Sequence, residues 1–283
     1  MTSISDEIVQ GQIASPTFDP DVNGLWGGLI ILGKAPISAD NVPSQIEGIP
    51  PSVTNGQYGG DQPADNSGSI SYISIRHGGA NIGEGNEING LTLGGVGTGT
   101  SINYVEVIGN QDDGIECFGG TVNITNALVW NQGDDAYDMD QGYSGTVDNF
   151  IFIGGADSDH GMELDGPEGD IPSNLPSTFT LKNGSLKGFS PEGGEYVDLR
   201  SDVRCEIENC YFFNFSSNSD FEWDNNGVSQ NYLDELINLS DLQYNTSHLT
   251  EGNLTVEDIH VEKFDDSATP PETELDIFTT RPL

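Results

Sequence analysis

A repeat with uneven spacing is the feature that most constrains the fold of this chain. An apolar residue, any residue and an asparagine recur together, and mostly apolar residues follow each asparagine one and three positions later. The copies fall at Asn126, Asn149, Asn183 and Asn209, at Tyr72 and Tyr104, where tyrosine replaces asparagine, and at Asp258, a predicted last copy. Such self-similarity indicates one structural unit repeated along the chain.

A second column of residues follows the asparagines by 12 to 15 positions. Each member is an acid flanked by apolar residues, and the members are Glu116, Asp138, Glu163, Asp198 and Glu222. In a strand, this alternation places the apolar side chains inward and the acid outward. The spacings are 23, 34 and 26 residues between asparagines and 22, 25, 35 and 24 between acids. The two series lengthen together, as stacked coils with loop insertions would.

These two columns predict an all-β fold, a right-handed parallel β-helix with coils of about 22–25 residues and loop insertions. Stacked asparagines at a bend can form a hydrogen-bonded ladder, and asparagine tolerates the left-handed backbone of a sharp turn. The predicted β-helix domain spans residues 1–264: N-terminal coils and loops at 1–68, regular coils at 69–223, an insertion at 224–250 and a last coil at 251–264. An acidic tail follows at 265–283, and within the insertion residues 232–239 (YLDELINL) predict a short amphipathic helix.

Charge excludes several classes of partner. The chain has 46 acidic residues against 8 basic ones, a formal net charge of −38. Phosphate backbones and anionic membrane surfaces would repel it, so we do not expect nucleic-acid binding. The longest apolar run, about Leu29 to Leu32, is too short for membrane insertion. Residues 1–15 contain no signal peptide pattern. The acidity fits both a cation-binding face and adaptation to a salt-rich habitat.

Long sequence blocks between residues 24 and 169 carry a family resemblance. They include GLWGGLIILGKAPI, DNSGSISYISIRHGGANIGEGNEINGLTLGGVGTGT, VEVIGNQDDGIECFGGTVNITN and VWNQGDDAYDMDQGYSGTVDNF. The chain resembles a family of secreted or surface-exported parallel β-helix proteins, common in Bacteroidota, with pectate-lyase-like architecture. The resemblance implies an extracellular or cell-surface location, an incomplete or processed N-terminus, and no settled activity.

Four outward acids on adjacent coils form the predicted metal site. Asp138, Asp140, Glu163 and Asp165 would lie about 4.8 Å apart across a parallel sheet, where like charges are destabilising. Ca²⁺ prefers such oxygen ligands, so the sequence predicts a calcium ion here. The alternative is a solvated acidic face whose repulsion is relieved by water, salt and Arg200.

A second constellation suggests catalysis. Asp113, Asp135, His160 and Arg200 follow one another on successive predicted coils, superficially like the acids and basic residues of β-helix polysaccharide hydrolases. Paired carboxylates about 6.5–9.5 Å apart can hydrolyse a glycosidic bond with inversion. The catalytic alternative is therefore a polysaccharide lyase or glycoside hydrolase acting on the acidic sheet face.

The leading hypothesis is an exported, surface-associated binding or structural module, stabilised by Ca²⁺. Its expected partners are a polysaccharide or cell-surface glycan, or further copies of the chain joined as a homo-oligomer or filament through the β-helix ends. Aromatic side chains that could stack on sugar rings are Trp26, Phe118, Trp130 and Tyr143.

Overall fold

The computed structural model describes residues 1–4, 6, 18–82, 88–169, 178–189, 194–216, 219 and 221–245. The predicted last coil at 251–264, with its repeat copy at Asp258, and the tail at 265–283 lie outside the described residues.

The first sheet has seven parallel strands in the described part of the chain. In spatial order these strands are β1 (Leu29–Leu32), β5 (Leu91–Gly94), β7 (Ile115–Phe118), β9 (Tyr137–Asp140), β11 (Glu163–Asp165), β13 (Val197–Arg200) and β16 (Phe221–Trp223). Each strand pairs with the equivalent strand of the next coil. This register aligns the acids that follow the asparagines in the repeat, as their spacing predicted.

The second sheet has nine parallel strands among the described residues. They are β4 (Ser69–Arg76), β6 (Ser101–Ile108), β8 (Ile124–Trp130), β10 (Thr146–Ile153), β12 (Phe179–Lys187), β14 (Cys205–Glu208), β15 (Tyr211–Phe213), β17 (Asn238–Ser240) and β18 (Gln243–Asn245). A short antiparallel pair, β2 (Ser44–Gln45) and β3 (Gln57–Tyr58), completes the strands, with a 3₁₀ turn at Thr54–Gly56.

Inward side chains of both sheets form one hydrophobic core. Tyr137 from the first sheet packs edge-on against Phe150 from the second, with ring centroids 5.0 Å apart. Its hydroxyl donates a 2.9 Å hydrogen bond to the carbonyl of Ile151. The three cysteines are free and buried, as small apolar residues would be. The parallel stacking confirms the predicted β-helix class.

The residues of the asparagine column have a left-handed backbone conformation. The φ angles are +55° at Tyr72, +53° at Tyr104, +55° at Asn126, +60° at Asn149, +60° at Asn183 and +52° at Asn209. Along the column, Asn126 donates to the side chain of Asn103, Asn149 to that of Asn126, Asn183 to that of Asp148, and Asn209 to that of Asn183. A short polar side chain thus serves both as bend residue and as a rung between coils.

The region predicted as an insertion adds one helix and one more pair of stacked strands. The α-helix α1 spans Asn226–Leu233, and Asn225 caps it by accepting hydrogen bonds from two backbone N–H groups. The predicted position, residues 232–239, was wrong: the Asn225 cap starts the helix at Asn226, it ends at Leu233, and residues 238–240 extend the second sheet instead. No helix in the described ranges is long and apolar enough to span a membrane.

A non-repeating segment covers part of the outer face of the first sheet. Phe118 points outward from β7 and packs with Ile37, Ile46 and Tyr58 in a second apolar cluster. The Tyr58 hydroxyl donates a 2.8 Å hydrogen bond to the side-chain oxygen of Gln141. The acids beside this cluster are therefore shielded from solvent.

The asparagine ladder makes a quantitative prediction. Asn149→Ala removes a rung and places a side chain without a local hydrogen bond at positive φ, so we expect a loss of about 2 kcal/mol in unfolding free energy. Asn149→Gly removes the same rung but adopts positive φ freely, so we expect a loss of about 1 kcal/mol. Urea denaturation measures both values. Equal losses for the two variants would show that the backbone conformation is not a source of the effect.

Candidate functional site

The outward acids of the first sheet align in register and form what we call the acid column: Glu116, Asp138, Glu163, Asp198 and Glu222. Glu116, Asp198 and Glu222 are each 6% exposed and Asp138 is 9% exposed. Of the four predicted calcium ligands only Asp138 is among these buried acids, so the alternative of a solvated acidic face is excluded for Asp138, whereas Asp140, Glu163 and Asp165 are half-buried. The burial of the column acids is costly unless a proton or a cation compensates the charge.

A group of three carboxylates without a basic partner, which we call the upper cluster, joins two acids of the column, Glu116 and Asp138, to Asp113 of the turn before β7. One oxygen from each of Asp113, Glu116 and Asp138 lies within 4.8 Å of the other two. Burial, together with neighbouring acids, raises the pKa of all three carboxyl groups well above the ordinary range. Among the described residues, no ion pair joins them to a basic side chain, and Asp138 Oδ1 has no hydrogen-bond donor.

The four predicted calcium ligands are only partly brought together. Asp138, Glu163 and Asp165 each place an oxygen within 4.8 Å of the other two. Asp140 lies outside that group. Its carboxylate accepts a hydrogen bond from the next backbone N–H, and burial raises its pKa to about 7. Arg200 contacts Glu163, and its Nη1 lies 3.9 Å from Asp165 Oδ2, so a guanidinium already offsets part of this charge.

Asp113, Asp135 and His160 occupy equivalent turn positions on three successive coils. Asp113 Oδ1 accepts a 2.9 Å hydrogen bond from the backbone N–H of Asp135. Asp135 Oδ1 accepts a 2.7 Å hydrogen bond from the backbone N–H of His160. These predicted catalytic carboxylates therefore hold adjacent coils together, and that role alone accounts for aspartate at both positions.

His160 is the chemically distinctive member of this turn column. Its Nδ1 lies 2.8 Å from Asp135 Oδ1, and its Nε2 lies 3.5 Å from Glu222 Oε2. Burial lowers the pKa of the imidazole, but contacts with Asp135 and Glu222 outweigh burial and raise it to about 12. Without a bound cation the ring is an imidazolium near neutral pH, so it cannot act as a general base.

A cleft of about 620 Å³ opens beside His160 on the same sheet face. It is lined by Asp159, His160, Glu163, Asp198, Arg200, Glu222, Asp224 and Asn225. Of the four predicted catalytic residues, His160 and Arg200 line this cleft, whereas Asp113 and Asp135 do not. Arg200 Nε lies 3.5 Å from Asp198 Oδ2 and joins this wall to the acid column.

The predicted sugar-stacking aromatics do not form this cleft. Phe118 is 6% exposed in the outer apolar cluster and Tyr143 is 1% exposed in the core, so their assignment as platforms was wrong. Trp26 and Trp130 are half-buried and do not line the cleft. The lining consists of polar and charged side chains.

Comparison with known proteins confirms the architecture. A family model described as a pectate-lyase-like β-helix domain matches residues 12–276. The chain belongs to this β-helix family. Searches of curated proteins and of solved structures gave no match. Family membership confirms the predicted pectate-lyase-like architecture, and the chemistry of this β-helix protein has to be argued from its own side chains.

The sequence did not reveal the contacts around His160. Asp198 and Glu222 were assigned to the acid column, but not as neighbours of the imidazole. The available signal was the coil register, which sets His160 opposite Glu195, just before β13, and places β13 beside β16. To predict that Asp198 and Glu222 lie near the imidazole, one would also need the sideways distance between a turn and the neighbouring strands, which residue spacing does not give.

The raised pKa values predict how the chelator-treated protein responds to pH. A raised carboxyl pKa gives stability that is complete below the ordinary value and is lost as pH rises through the folded value. The folded pKa is about 7 for Asp140 and Asp198 and about 9 for Glu163. The raised pKa of His160 acts in the same direction above its ordinary value of 6.5. We therefore expect a lower melting temperature at about pH 9 than at about pH 5.

Two variants separate this effect from general charge repulsion. Asp198→Asn should flatten the decline between about pH 4 and about pH 7, because it removes one titrating group from that window. Asp61→Asn removes an exposed acid outside the site and should leave the profile unchanged. A melting temperature that rises from acid to alkaline pH would contradict the assignment.

Proposed function

We propose that this β-helix protein is an exported, surface-associated binding module whose acid column holds Ca²⁺. The observation that carries the proposal is the position of Asp138. It belongs both to the cluster with Asp113 and Glu116 and to the cluster with Glu163 and Asp165. A cation beside Asp138 would therefore relieve repulsion in both directions along the sheet.

The preference of Ca²⁺ for oxygen ligands supports calcium binding beside Asp138. Ca²⁺ accepts six to eight oxygen ligands in flexible geometry, which suits carboxylates that a strand register holds in place. Asp138 Oδ1 is buried and has no hydrogen-bond donor among the described residues. Because Arg200 already pairs with Glu163, the unrelieved charge is greatest on the side of Asp113 and Glu116.

Calcium dependence of the melting temperature tests the metal proposal. Replacing EGTA with Ca²⁺ should raise the melting temperature. At a free Ca²⁺ concentration of about 100 times the Kd, the unfolding free energy increases by about 2.7 kcal/mol. Asp138→Asn should abolish this calcium increment, because it removes the carboxylate that both clusters share. Asp61→Asn should retain it. A full increment in Asp138→Asn would contradict calcium binding at the acid column.

Two further variants locate the ion within the column. Glu116→Gln affects only the upper cluster with Asp113, and Asp165→Asn affects only the cluster of Asp138, Glu163 and Asp165, which we call the lower cluster. We expect the larger loss of the calcium increment in Glu116→Gln, since no basic side chain pairs with that cluster in the described structure. The reverse order would place the ion in the lower cluster.

The cleft beside the column is the proposed contact with glycans. Its lining offers carboxylate acceptors and the donors of Arg200 and Asn225, a combination that suits sugar hydroxyl groups. Five acidic side chains among its described lining residues disfavour direct binding of a polyanion. We therefore propose neutral glycans, or acidic ones bridged by a cation, as ligands.

A polysaccharide screen separates this binding role from the catalytic alternative. The observation that favours catalysis is that His160, which lines the cleft, contacts Asp135 behind it, but a protonated imidazole has no free nitrogen to accept a proton. We expect retention of some glycans in affinity gels, with uronate polymers retained only when Ca²⁺ is present. We expect no new reducing ends and no absorbance from unsaturated uronates. Cleavage that Glu222→Gln abolishes would establish the enzyme instead.

Self-assembly through the β-helix ends stays a prediction. In the described structure β1 pairs only with β5. Because backbone groups alternate along a strand, two of its four residues, Ile30 and Leu32, turn theirs to the other edge, where the Leu32 carbonyl accepts a hydrogen bond from Ser67. Such an edge can pair with another chain. The extracellular or cell-surface location is likewise part of the proposal, and it is consistent with the family.

A further inference from the structure

Three buried side chains of different coils converge at the cleft. His160 comes from the turn before β11, Asp198 from β13 and Glu222 from β16. One potential ligand atom of each lies within 4.8 Å of the other two. Their exposed fractions are 5%, 6% and 6%, so water screens their interactions weakly.

We propose that His160, Asp198 and Glu222 bind a divalent transition-metal ion, with zinc as the best fit. The distance of 3.5 Å between His160 Nε2 and Glu222 Oε2 is longer than an ordinary hydrogen bond. Two ligands of one tetrahedral zinc ion, each about 2.0–2.1 Å from the metal, lie about 3.3 Å apart. The observed separation therefore suits two atoms that share an ion.

Unsatisfied polar atoms give an independent indication. His160 Nε2 and Asp198 Oδ1 are buried and have no hydrogen-bond partner among the described residues. Both belong to side chains that line the cleft. Arg200 Nε lies 3.5 Å from the other oxygen of Asp198, which leaves Oδ1 available to a metal. Buried polar groups without partners are uncommon in folded proteins, and a ligand is a recognised cause.

Asp135 supplies the support that a metal-binding histidine requires. Histidine ligands usually donate their second ring N–H to a carboxylate, which fixes the orientation of the ring. His160 Nδ1 lies 2.8 Å from Asp135 Oδ1, and the same oxygen accepts the backbone N–H of His160 at 2.7 Å. Asp135 is thus a positioning residue and leaves Nε2 facing Glu222.

The ligand set selects the type of metal. An imidazole with two carboxylates suits zinc and related transition ions, whereas Ca²⁺ and Mg²⁺ prefer oxygen ligands throughout. Zinc takes the place of the Nε2 proton, so binding releases a proton to the solvent. Three protein ligands leave a coordination position open towards the cleft. That position suits an oxygen donor such as a sugar hydroxyl or carboxylate.

This site shares no ligand with the proposed calcium site, although the two are neighbours, since Glu163 lies near both His160 and Asp138. The clusters around Asp138 contain none of His160, Asp198 or Glu222. Asp138→Asn should therefore abolish the calcium increment without changing zinc affinity. The zinc inference goes beyond the binding function above, and either proposal can fail without the other.

Zinc titration of the chelator-stripped protein, with residues 1–283 all present, against a chromophoric chelator tests the site. We expect one ion per chain, with His160→Gln and Glu222→Gln each weakening binding by more than about tenfold. Asp135→Asn should weaken it by about 10–100-fold through the lost ring orientation. Asp61→Asn is the control, since Asp61 is an exposed acid outside the cleft, and this variant should bind zinc as the unaltered protein does.

Cobalt substitution identifies the ligands by a second readout. X-ray absorption of the cobalt-loaded protein should show one imidazole, and His160→Gln should lose that signal. Circular dichroism confirms folding of each variant, and Glu222→Gln carries the test if His160→Gln does not fold. Three results would overturn the proposal: no zinc binding, unchanged affinity in Glu222→Gln, or displacement of zinc by an equal concentration of Ca²⁺.

Discussion

Parallel in-register stacking places equivalent residues of successive coils about 4.8 Å apart, and the rest of the structure depends on this constraint. For the core it aligns apolar side chains, and at the bends it lets Asn126 and Asn149 hydrogen-bond along the column. On the outer face of the first sheet the same constraint brings acids together. The same stacking therefore stabilises the apolar core and the asparagine column, but it brings like charges together in the acid column.

The two parts of the acid column differ in how their charge is offset. Beside Glu163 and Asp198, the cations of Arg200 and His160 lie among the acids. Beside Glu116, an apolar cover around Phe118 excludes water, and no basic partner is present among the described residues. Protons or a bound cation must compensate there, because ionised carboxylates are costly to bury close together.

Much of the fold was predictable because it repeats. Asn149 and its equivalents fix the bends, and the acids fix the strands of the first sheet, so the coil register followed from spacing. Residues outside the repeat were not predictable in this way. The segment that covers Phe118 has no counterpart in other coils, and Asp241 continues the bend column at φ +54° inside a region assigned to an insertion.

The candidate site was predictable in composition but not in its contacts. His160 and Arg200 were identified from their positions on successive coils, whereas the approach of Glu222 to the imidazole depends on side-chain directions across two coils. Burial of the acids was also beyond the sequence, since outward positions of a sheet are usually solvated. Their proximity within the fold changes an acidic face into a set of candidate cation sites.

Infrared spectroscopy of the carboxyl groups tests the central claim most directly, namely that the buried acid column must hold protons or cations. In chelator near neutral pH, we predict a protonated carboxyl band that shrinks in Glu116→Gln and Asp138→Asn and disappears when Ca²⁺ is added. Fully ionised carboxylates under the same chelated conditions would contradict the account, because they would show that the column is an ordinary solvated surface.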